Sequence, residues 1–310
     1  MYREHTIAAI VPAYEEEAQI KGVIATMPDL VDHIVVVDDA GQDGTAEEAR
    51  AVGDPRVVVI RHERNAGVGG SIVTGHKEAL ELGADIDVVM AGDGQMDPIH
   101  LPALLDPIVD DGYGFTKANR FYSMESFQGM PRHRMFGNIV LSFFTKVASG
   151  YWHLFDPQNG YTAITRDALL RLNLDRLAPR YEFENDLLIS LNILGVRARD
   201  VEIPARYGDE ASGIQLPRVV PAITWLLLRG FWRRMMVKYV LRSFSPIALL
   251  FFSGLGLVTF GVAFGIWVLT QTIGPDVAST GTVLLSVTPF LVGVQLLISA
   301  LVLDIQESPD

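Results

Sequence analysis

Two long apolar stretches near the end of the chain limit its possible folds more than any other feature. Ser243 to Gly274 contains no charged residue, and neither does Gly281 to Leu303. A helix needs roughly 20 residues to cross a hydrocarbon core about 30 Å thick, and each stretch is long enough. The mean hydropathy of +0.26 is too high for a purely soluble protein. We therefore predict two transmembrane helices, at about 246–270 and 281–303.

The segment before the first apolar stretch is predicted to be an amphipathic helix. Arg218 to Arg242 contains no acidic residue, and aromatic side chains alternate with basic ones along it. Such a helix suits an anionic membrane surface, and a plain connector helix is the alternative. Residues 271–280 lack Lys and Arg, so the rule that basic loops stay cytoplasmic predicts a short external loop there. The N-terminal part and the C-terminal tail would then both be cytoplasmic.

The first 217 residues are predicted to form an α/β domain. Short β-branched runs alternate with segments of helical pattern, and this spacing is typical of a parallel, doubly wound sheet. Thr45 is predicted to cap the second helix, with Glu48 completing a capping box. The predicted strands are 6–11, 34–37, 57–60, 88–90 and 116–120, and the predicted helices are 15–27, 45–52, 71–82 and 101–109.

The loop after the fourth predicted strand carries three side chains with oxygen ligands, Asp93, Gln95 and Asp97. Oxygen ligands two residues apart at a strand end suit a hard divalent cation that also binds substrate phosphates. An acidic loop without a ligand is the alternative. The loops after the first and second strands are also rich in Asp, Glu and Gly, and ligands of such sheets bind beyond the carboxyl ends of the strands. The sequence thus predicts one binding site at this sheet edge.

The charge of the chain argues against one class of partner. With 25 basic and 37 acidic residues, its net charge is −12, which does not favour binding to nucleic acid. A phosphate-bearing substrate would need local arginines and a cation. The chain contains no cysteine, so disulfides and thiolate metal sites are excluded.

Four motifs follow one another along the chain: Pro12 to Glu16, Val37 to Thr45, Asn65 to Gly70 and Gly92 to Pro98. In this order they resemble the loops of family 2 glycosyltransferases. The nearest branch contains dolichol-phosphate mannosyltransferases and bacterial polyprenyl-phosphate glycosyltransferases. The resemblance runs from about Thr6 to Ser212 and implies a GT-A fold with Mg²⁺ or Mn²⁺ as the cofactor. Ala91 stands where the metal loop of the family usually begins with an Asp. Asp93 and Gln95 match that loop, and Asp97 is an extra carboxylate two residues further on.

The resemblance implies a role for residues in each loop. The expected nucleotide-binding residues are Pro12, Tyr14, Glu16, Asp38, Asp39, Asn65 and Gly67. The expected metal ligands are Asp93, Gln95 and Asp97, and the expected catalytic residues are Asp93, Arg120 and Asp156. The expected contacts to the acceptor or to phosphate are Arg132, Arg134, Arg206 and Ser212.

Further motifs in the middle of the chain support these roles. Residues Asp156 to Tyr161 resemble the Asp-x-x-x-Gly-aromatic motif of the family, and Tyr181 to Asp186 resembles its acidic helix start. Ala205 to Ser212 resembles its mobile loop, with Gly213 where a Lys often follows. Arginine forks suit phosphate oxygens. The alternatives are a solvated surface for each arginine and a simple turn residue for Asp156.

The resemblance implies a membrane-anchored inverting glycosyltransferase in cell envelope glycosylation. It would move one hexose from a UDP- or GDP-linked sugar to undecaprenyl or dolichyl phosphate, at the cytoplasmic side of the plasma (inner) membrane. The expected regions are a catalytic domain at 1–217, juxtamembrane helices at 218–244 and the two-helix membrane region at 245–310. A homo-oligomer is compatible with the sequence.

Two alternatives to this function stay open. A processive polysaccharide synthase generally has more spans, and the chain contains no Gln-x-x-Arg-Trp motif. A non-catalytic membrane adaptor that binds a nucleotide sugar is the other alternative, because Ala91 replaces an expected metal ligand.

Overall fold

A computed structural model describes residues 1–121, 132–204, 216–272 and 278–310. The chain forms two compact units. The first contains Met1–Phe231 together with Pro309–Asp310, and the second contains Trp232–Ser308.

The first unit is built on one seven-stranded sheet, whose order is β3-β2-β1-β4-β6-β5-β7. Its strands are β1 Ile7–Ala13, β2 His33–Asp38, β3 Val57–Arg61, β4 Ile86–Val89, β5 Phe115–Asn119, β6 Thr162–Thr165 and β7 Ala198–Glu202. Every residue of β1 is buried, because alternate side chains of this strand enter the hydrophobic cores on opposite faces of the sheet. The apolar, non-alternating sequence of β1 is typical of such a central strand.

The doubly wound α/β prediction is confirmed, with one correction to the strand directions. β6 runs antiparallel to both of its neighbours, β4 and β5. Thr162, at the start of β6, pairs with Val89, at the end of β4. The loop that precedes β6 therefore lies at the same sheet edge as the loop that follows β4. A strand of four residues gave no sign of its direction in the sequence.

Helices cover both faces of the sheet. The helices of the first unit are α1 Ile20–Ala25, α2 Thr45–Ala51, α3 Val68–Leu82, α4 Leu101–Asp111, α5 Arg132–Ser149, α6 Arg166–Arg171 and α7 Phe183–Leu194. The remaining helices are α8 Leu216–Arg234, a π-helix at Met235–Arg242, α9 Pro246–Gln271 and α10 Thr280–Gln306. Short 3₁₀ helices occupy Pro98–His100 and Leu174–Arg176.

Two local predictions near the first loop are wrong. The first helix begins at Ile20 rather than at residue 15, because the glutamates before it form a loop that bonds to the second loop. Thr45 does not cap α2, since Gly44 holds that position. The Thr45 hydroxyl instead accepts a hydrogen bond from the backbone N–H of Glu16, at 2.9 Å. A tertiary contact between two loops thus replaces the local capping box.

Part of α8 packs on the first unit. Ile223 and Leu227 belong to one apolar cluster with Ile189 of α7 and Ala148 of α5. Other side chains of α8 are exposed, and these include Trp225, Leu228 and Arg229. The exposed positions combine large apolar groups with a positive charge.

The second unit contains two helices long and apolar enough to cross a membrane. They are α9, with a mean hydropathy of 2.2, and α10, with a mean hydropathy of 2.1. Glycines allow their backbones to approach closely, since a Cβ atom on Gly254 would lie 2.8 Å from the carbonyl oxygen of Gly293. Such contacts are typical of helix pairs in membranes.

Candidate functional site

The first two loops of the candidate site are held together by hydrogen bonds from backbone N–H groups to side chains. The N–H groups of Glu16 and Glu17 donate to the side chains of Thr45 and Asp43, respectively. Pro12 is buried at the end of β1, Tyr14 is exposed and Glu16 is half-buried. The exposed Tyr14 ring lies on the loop where the sequence predicts contact with the nucleotide.

The two neighbouring aspartates that end β2 differ in their contacts, although both are buried. The Asp39 carboxylate accepts hydrogen bonds from the N–H groups of Ala66 and Gly67, both at 2.7 Å, and contacts the His62 ring at 2.8 Å. Asp39 therefore shapes the third loop. Asp38 accepts from the N–H of Gly41, and its other oxygen lies 3.3 Å from Nε of Arg61.

The third loop depends on a glycine conformation. Gly67 has a φ of 86°, in the region that favours glycine. A Cβ atom at this position would also lie 2.6 Å from the carbonyl oxygen of Pro179, closer than any side chain could tolerate. The side-chain amide of Asn65, an exposed residue, donates to the backbone oxygen of Asp39 at 3.3 Å. Asp39 and Gly67 thus fix where Asn65 stands.

The loop after β4 holds two of its three predicted metal ligands in local hydrogen bonds. Oδ1 of Asp93 accepts from the N–H of Gln95 at 2.9 Å. Oδ1 of Asp97 accepts from the N–H of Ile99 at 3.0 Å and caps the 3₁₀ helix that follows. Within the part of the chain that the structure describes, no three His, Cys, Asp or Glu side chains converge as a metal-binding group.

This ligand set fits one kind of divalent cation. Mg²⁺ is commonly bound through one or two carboxylates together with substrate phosphates, and it keeps several waters. Asp93 and Gln95, both half-buried, offer two such oxygen ligands at the strand end. Asp97 already serves as a helix cap, so its role as a ligand stays a prediction.

Arg120 and Asp156 form a two-pronged ion pair beside this loop. Nε of Arg120 lies 2.7 Å from Oδ2 of Asp156, and Nη2 lies 3.1 Å from Oδ1. The Asp156 side chain is 1% exposed, whereas the Arg120 side chain is 33% exposed. Arg120 can therefore hold Asp156 and still present an edge of its guanidinium to another anion.

The pKa of Asp156 defines its chemical state. Burial raises this pKa, but the charge of Lys117 and the hydrogen bonds from Arg120 outweigh burial, and the net shift is downward. A carboxylate with a lowered pKa is a weak base near neutral pH. The geometry therefore suits Asp156 for holding Arg120 in place rather than for removing a proton.

The loop that contains Asp156 is tied to its surroundings at two further points. The side-chain amide of Gln158 donates to Oδ1 of Asn185, on α7, at 3.1 Å. The hydroxyl of Tyr161 donates to the backbone oxygen of Asp97 at 3.0 Å. The second bond joins the loop of the predicted metal ligands to the loop that carries Asp156.

Two charged residues below this loop were given no role of their own from the sequence: Lys117 of β5, and Glu184 of α7, which lies within the predicted acidic helix start. Lys117 is buried, and burial lowers the pKa of its ammonium against the opposing charges of Asp156 and Asp200. Burial raises the pKa of Glu184 to about 7. The signal in the sequence was a lysine inside an otherwise uncharged strand, Phe115–Asn119.

The side chains of four predicted contacts to acceptor or phosphate are outside the part of the chain that the structure describes. Arg206 and Ser212 lie outside the described residues. Arg132 and Arg134 belong to the first turn of α5, but their side chains are outside the described part of the structure. Their roles stay predictions.

The fold has solved counterparts. Glucosyl-3-phosphoglycerate synthase from Mycobacterium tuberculosis, solved with uridine diphosphate, superposes with a TM-score of 0.55 at 24% identity, over 74% of this chain and 80% of that one. The same enzyme solved with Mn²⁺, uridine diphosphate and phosphoglyceric acid gives a TM-score of 0.56 at 22% identity, over 74% and 78%. The GT-A fold is thereby confirmed.

Sequence comparison defines the family. Residues 8–172 match the model of Glycosyl transferase family 2, so this chain belongs to that family, as predicted. It is 36% identical over 198 residues to UDP-N-acetylglucosamine--dolichyl-phosphate N-acetylglucosaminyltransferase of Methanococcus voltae, covering 59% of this chain and 78% of that protein. It is 29% identical over 212 residues to undecaprenyl-phosphate mannosyltransferase of Micrococcus luteus, covering 67% and 85%. These relatives are consistent with the polyprenyl-phosphate branch.

Proposed function

We propose that this glycosyltransferase moves one hexose from a nucleotide diphosphate sugar to a polyprenyl phosphate, with inversion at the anomeric carbon. The observation that best supports this proposal is the Arg120–Asp156 pair, which presents a partly exposed guanidinium beside the loop of Asp93 and Gln95. That arrangement gives one place for a cation with the donor diphosphate and an adjacent place for an acceptor phosphate. The names of the two relatives support the choice of acceptor.

The reaction proceeds as a single displacement. An oxygen of the lipid phosphate forms a bond to the anomeric carbon, while the bond from that carbon to the diphosphate oxygen breaks. The acceptor needs no general base, because the second pKa of a phosphate monoester is about 6. Arg120 orients this phosphate through its exposed edge, and Asp156 keeps Arg120 in place. The lowered pKa of Asp156 is consistent with this division of roles.

A bound divalent cation would supply positive charge for the leaving diphosphate. Asp93 and Gln95 are the residues that would hold it. On the nucleotide side, Asp38 would bind the base, while Asp39 keeps the third loop, with Asn65, in position.

A panel of donors tests this function. The purified protein in liposomes would be incubated with radiolabelled UDP- and GDP-linked glucose, mannose and N-acetylglucosamine, and with undecaprenyl or dolichyl phosphate. We expect label from a hexose donor in the lipid phase. Labelled polymer would instead support a processive synthase, and donor binding without transfer would support an adaptor. Label from N-acetylglucosamine alone would keep the reaction class and contradict the hexose.

The Asp93→Ala variant is the matched control for that assay. We expect transfer to fall by at least about 100-fold, because the charge of the diphosphate would lose its compensation. Full activity of the unsubstituted protein in excess chelator, or of the variant, would contradict the metal role.

We further propose that α9 and α10 cross the plasma membrane, with the first unit, called the catalytic unit below, on the cytoplasmic side. Since the chain contains no cysteine, Ala278→Cys introduces a single label site and preserves the cap of α10 by Ser279. We expect an impermeant maleimide to react with it from outside only, and a reporter fused after Asp310 to be cytoplasmic. Labelling from the cytoplasmic side would contradict this topology.

A further inference from the structure

Lys117 is a buried charge in the middle of the catalytic unit. It lies on β5, in register with Thr162 of β6 and Asp200 of β7. The residue is 1% exposed, and its Nζ has no hydrogen-bond partner among the residues that the structure describes. An isolated buried ammonium is costly, so charges of opposite sign must compensate for its burial.

The compensating charges come from several elements around Lys117. The groups that act on it electrostatically are Asp156 and Arg120 at the site edge, Asp200 of β7 and Glu184 of α7. From the α3 side, His76 faces the same space, and its ring contacts the Asp87 carboxylate at 2.8 Å. Carboxylates thus outnumber the cations near Lys117.

A small cavity adjoins the ammonium. It has a volume of about 10 Å³ and lies between the sheet and helices α3 and α7, lined by Lys117, His76, Thr162 and Glu184 among others. That volume has room for about one water molecule, and the polar lining could hold it. One water could therefore satisfy Nζ without neutralising its charge.

The charge of Lys117 acts on the catalytic pair. Lys117 is in register with Asp200, whose carboxylate accepts a hydrogen bond at 2.6 Å from the N–H of Phe155, the residue before Asp156. The charge of Lys117 and the hydrogen bonds from Arg120 together lower the pKa of Asp156. Burial raises the pKa of Glu184 to about 7, so this carboxyl is largely protonated below that pH. Burial also raises the pKa of Asp200, whereas the pKa of Asp156 is lowered, so Asp156 is the carboxylate that stays ionised beside Lys117 and Arg120.

We propose that Lys117 is a positioning residue for sugar transfer: its buried ammonium keeps Asp156 ionised, and ionised Asp156 holds Arg120 at the acceptor phosphate. The inference rests on the proposed function and adds a residue that contacts neither substrate. Lys117 acts through Asp156, so its removal lowers turnover without removing the nucleotide site.

The test compares Lys117→Met with Ile164→Val, which removes one methylene from the wall of the same cavity and no charge. Transfer in liposomes would be measured from about pH 5.5 to 8.5, together with the Kd of the nucleoside diphosphate. For Lys117→Met we expect kcat to fall by about 100-fold near neutral pH, with the Kd changed by less than about threefold. We also expect a new loss of activity on the acidic side, because the pKa of Asp156 rises when Lys117 is removed.

A double variant tests whether Lys117 acts through Asp156. Lys117→Met/Asp156→Asn should be no less active than Asp156→Asn alone, since residues that act as a unit are not additive. Additive losses would overturn the proposal. So would a Lys117→Met variant as active as Ile164→Val, one that loses nucleotide binding in proportion to turnover, or one without the acidic loss.

A readout besides activity separates this inference from the proposed function. In Lys117→Met, the infrared band of a protonated carboxyl should appear at higher pH than in the parent, and Asp156→Asn should remove it. If no donor gives transfer but this band behaves as expected, the function fails and the counter-ion role of Lys117 stands. An unchanged band overturns that role. If Lys117→Met does not fold, Lys117→Gln replaces it, and if neither folds the positioning role is rejected.

Discussion

The Arg120–Asp156 pair of the first unit and the Arg234–Asp304 pair of the second differ in how much of the arginine is exposed. In the catalytic unit, Asp156 is 1% exposed and Arg120 is 33% exposed. In the second unit, the side chains of Arg234 and Asp304 are 0% and 8% exposed. Both pairs are two-pronged, so the bond pattern alone does not separate a binding site from a structural contact. The two pairs are instead distinguished by the exposed part of the Arg120 side chain.

The second pair is closed by a further protein group. Arg234 contacts Asp304 at 2.5 and 3.0 Å, and the Tyr239 hydroxyl donates to the same carboxylate at 2.5 Å. The pair joins the start of the π-helix to the end of α10. We therefore interpret it as a structural contact, whereas the Arg120 side chain is one third exposed.

The largest effect on stability is expected at the Arg234–Asp304 pair. Asp304→Asn leaves the Arg234 charge buried without compensation, and loss of one partner of such a pair costs about 3–5 kcal/mol. We expect the free energy of unfolding in detergent to fall by that amount, with transfer per folded molecule unchanged. The matched control is Arg234→Met/Asp304→Leu, which removes both charges and should recover most of the loss. A double variant as unstable as Asp304→Asn would contradict the charge argument.

At the Arg120–Asp156 pair we expect a loss of transfer activity with little loss of stability. Arg120→Met should lower transfer by about 100-fold, equivalent to about 3 kcal/mol in the barrier. Stability should change little, because Lys117 still compensates Asp156 and Arg120 is partly solvated. Arg199→Met serves as a control, since Arg199 is an exposed arginine paired with Asp111. If Arg120→Met instead unfolds the protein and retains specific activity, the contrast between the two pairs is wrong.

The sequence predicted the parts of the molecule that depend on local pattern. The strands β1 to β4 follow from continuous apolar runs, and α9 and α10 follow from uncharged stretches longer than a membrane requires. Arg120 and Asp156 were both predicted as catalytic. Their contact was not predicted, because it depends on the reversed direction of β6, and a strand of four residues carries no signal for direction.

Burial of charge was the second feature that sequence patterns could not provide. Arg234 was expected on an amphipathic helix at an anionic membrane surface, but it is buried against Asp304, 70 residues away. Lys117 was likewise predicted only to be part of the fifth strand. Whether a charged side chain is buried depends on partners from distant parts of the chain, and helical or strand periodicity contains no information about them.

The buried carboxyl group of Glu184 should make the stability of the catalytic unit depend on pH. Glu184 has a pKa of about 7 in the folded protein and 4.5 as its ordinary value. The folded state therefore retains a proton that the unfolded state has lost between these values, so stability falls as pH rises from 4.5 to 7. The loss should be on the order of 3 kcal/mol at most.

Glu184→Gln should remove this contribution. Denaturant unfolding at several pH values would compare the variant with the parent, and with Glu182→Gln as a neighbouring control. We expect the difference in the free energy of unfolding between parent and Glu184→Gln to grow from about pH 4.5 to pH 7. A constant difference over this range would show that Glu184 does not titrate there.

The smallest effect is expected at arginines that have no part in either pair. Arg229 and Arg242 are exposed, unlike Arg234, so they are the better choice for testing whether the basic segment contacts an anionic membrane. Each contributes on the order of 1 kcal/mol near an anionic leaflet, so Arg229→Gln/Arg242→Gln should weaken liposome binding by at most about 2 kcal/mol. Transfer to a long polyprenyl phosphate in anionic liposomes should fall severalfold, while transfer to a short, water-soluble prenyl phosphate should change less. The control is Arg171→Gln/Arg199→Gln, which makes the same change of charge at two other exposed arginines. Equal losses with both acceptors would place Arg229 and Arg242 in the chemistry or the folding of the enzyme, and no loss with either would make the segment a plain connector.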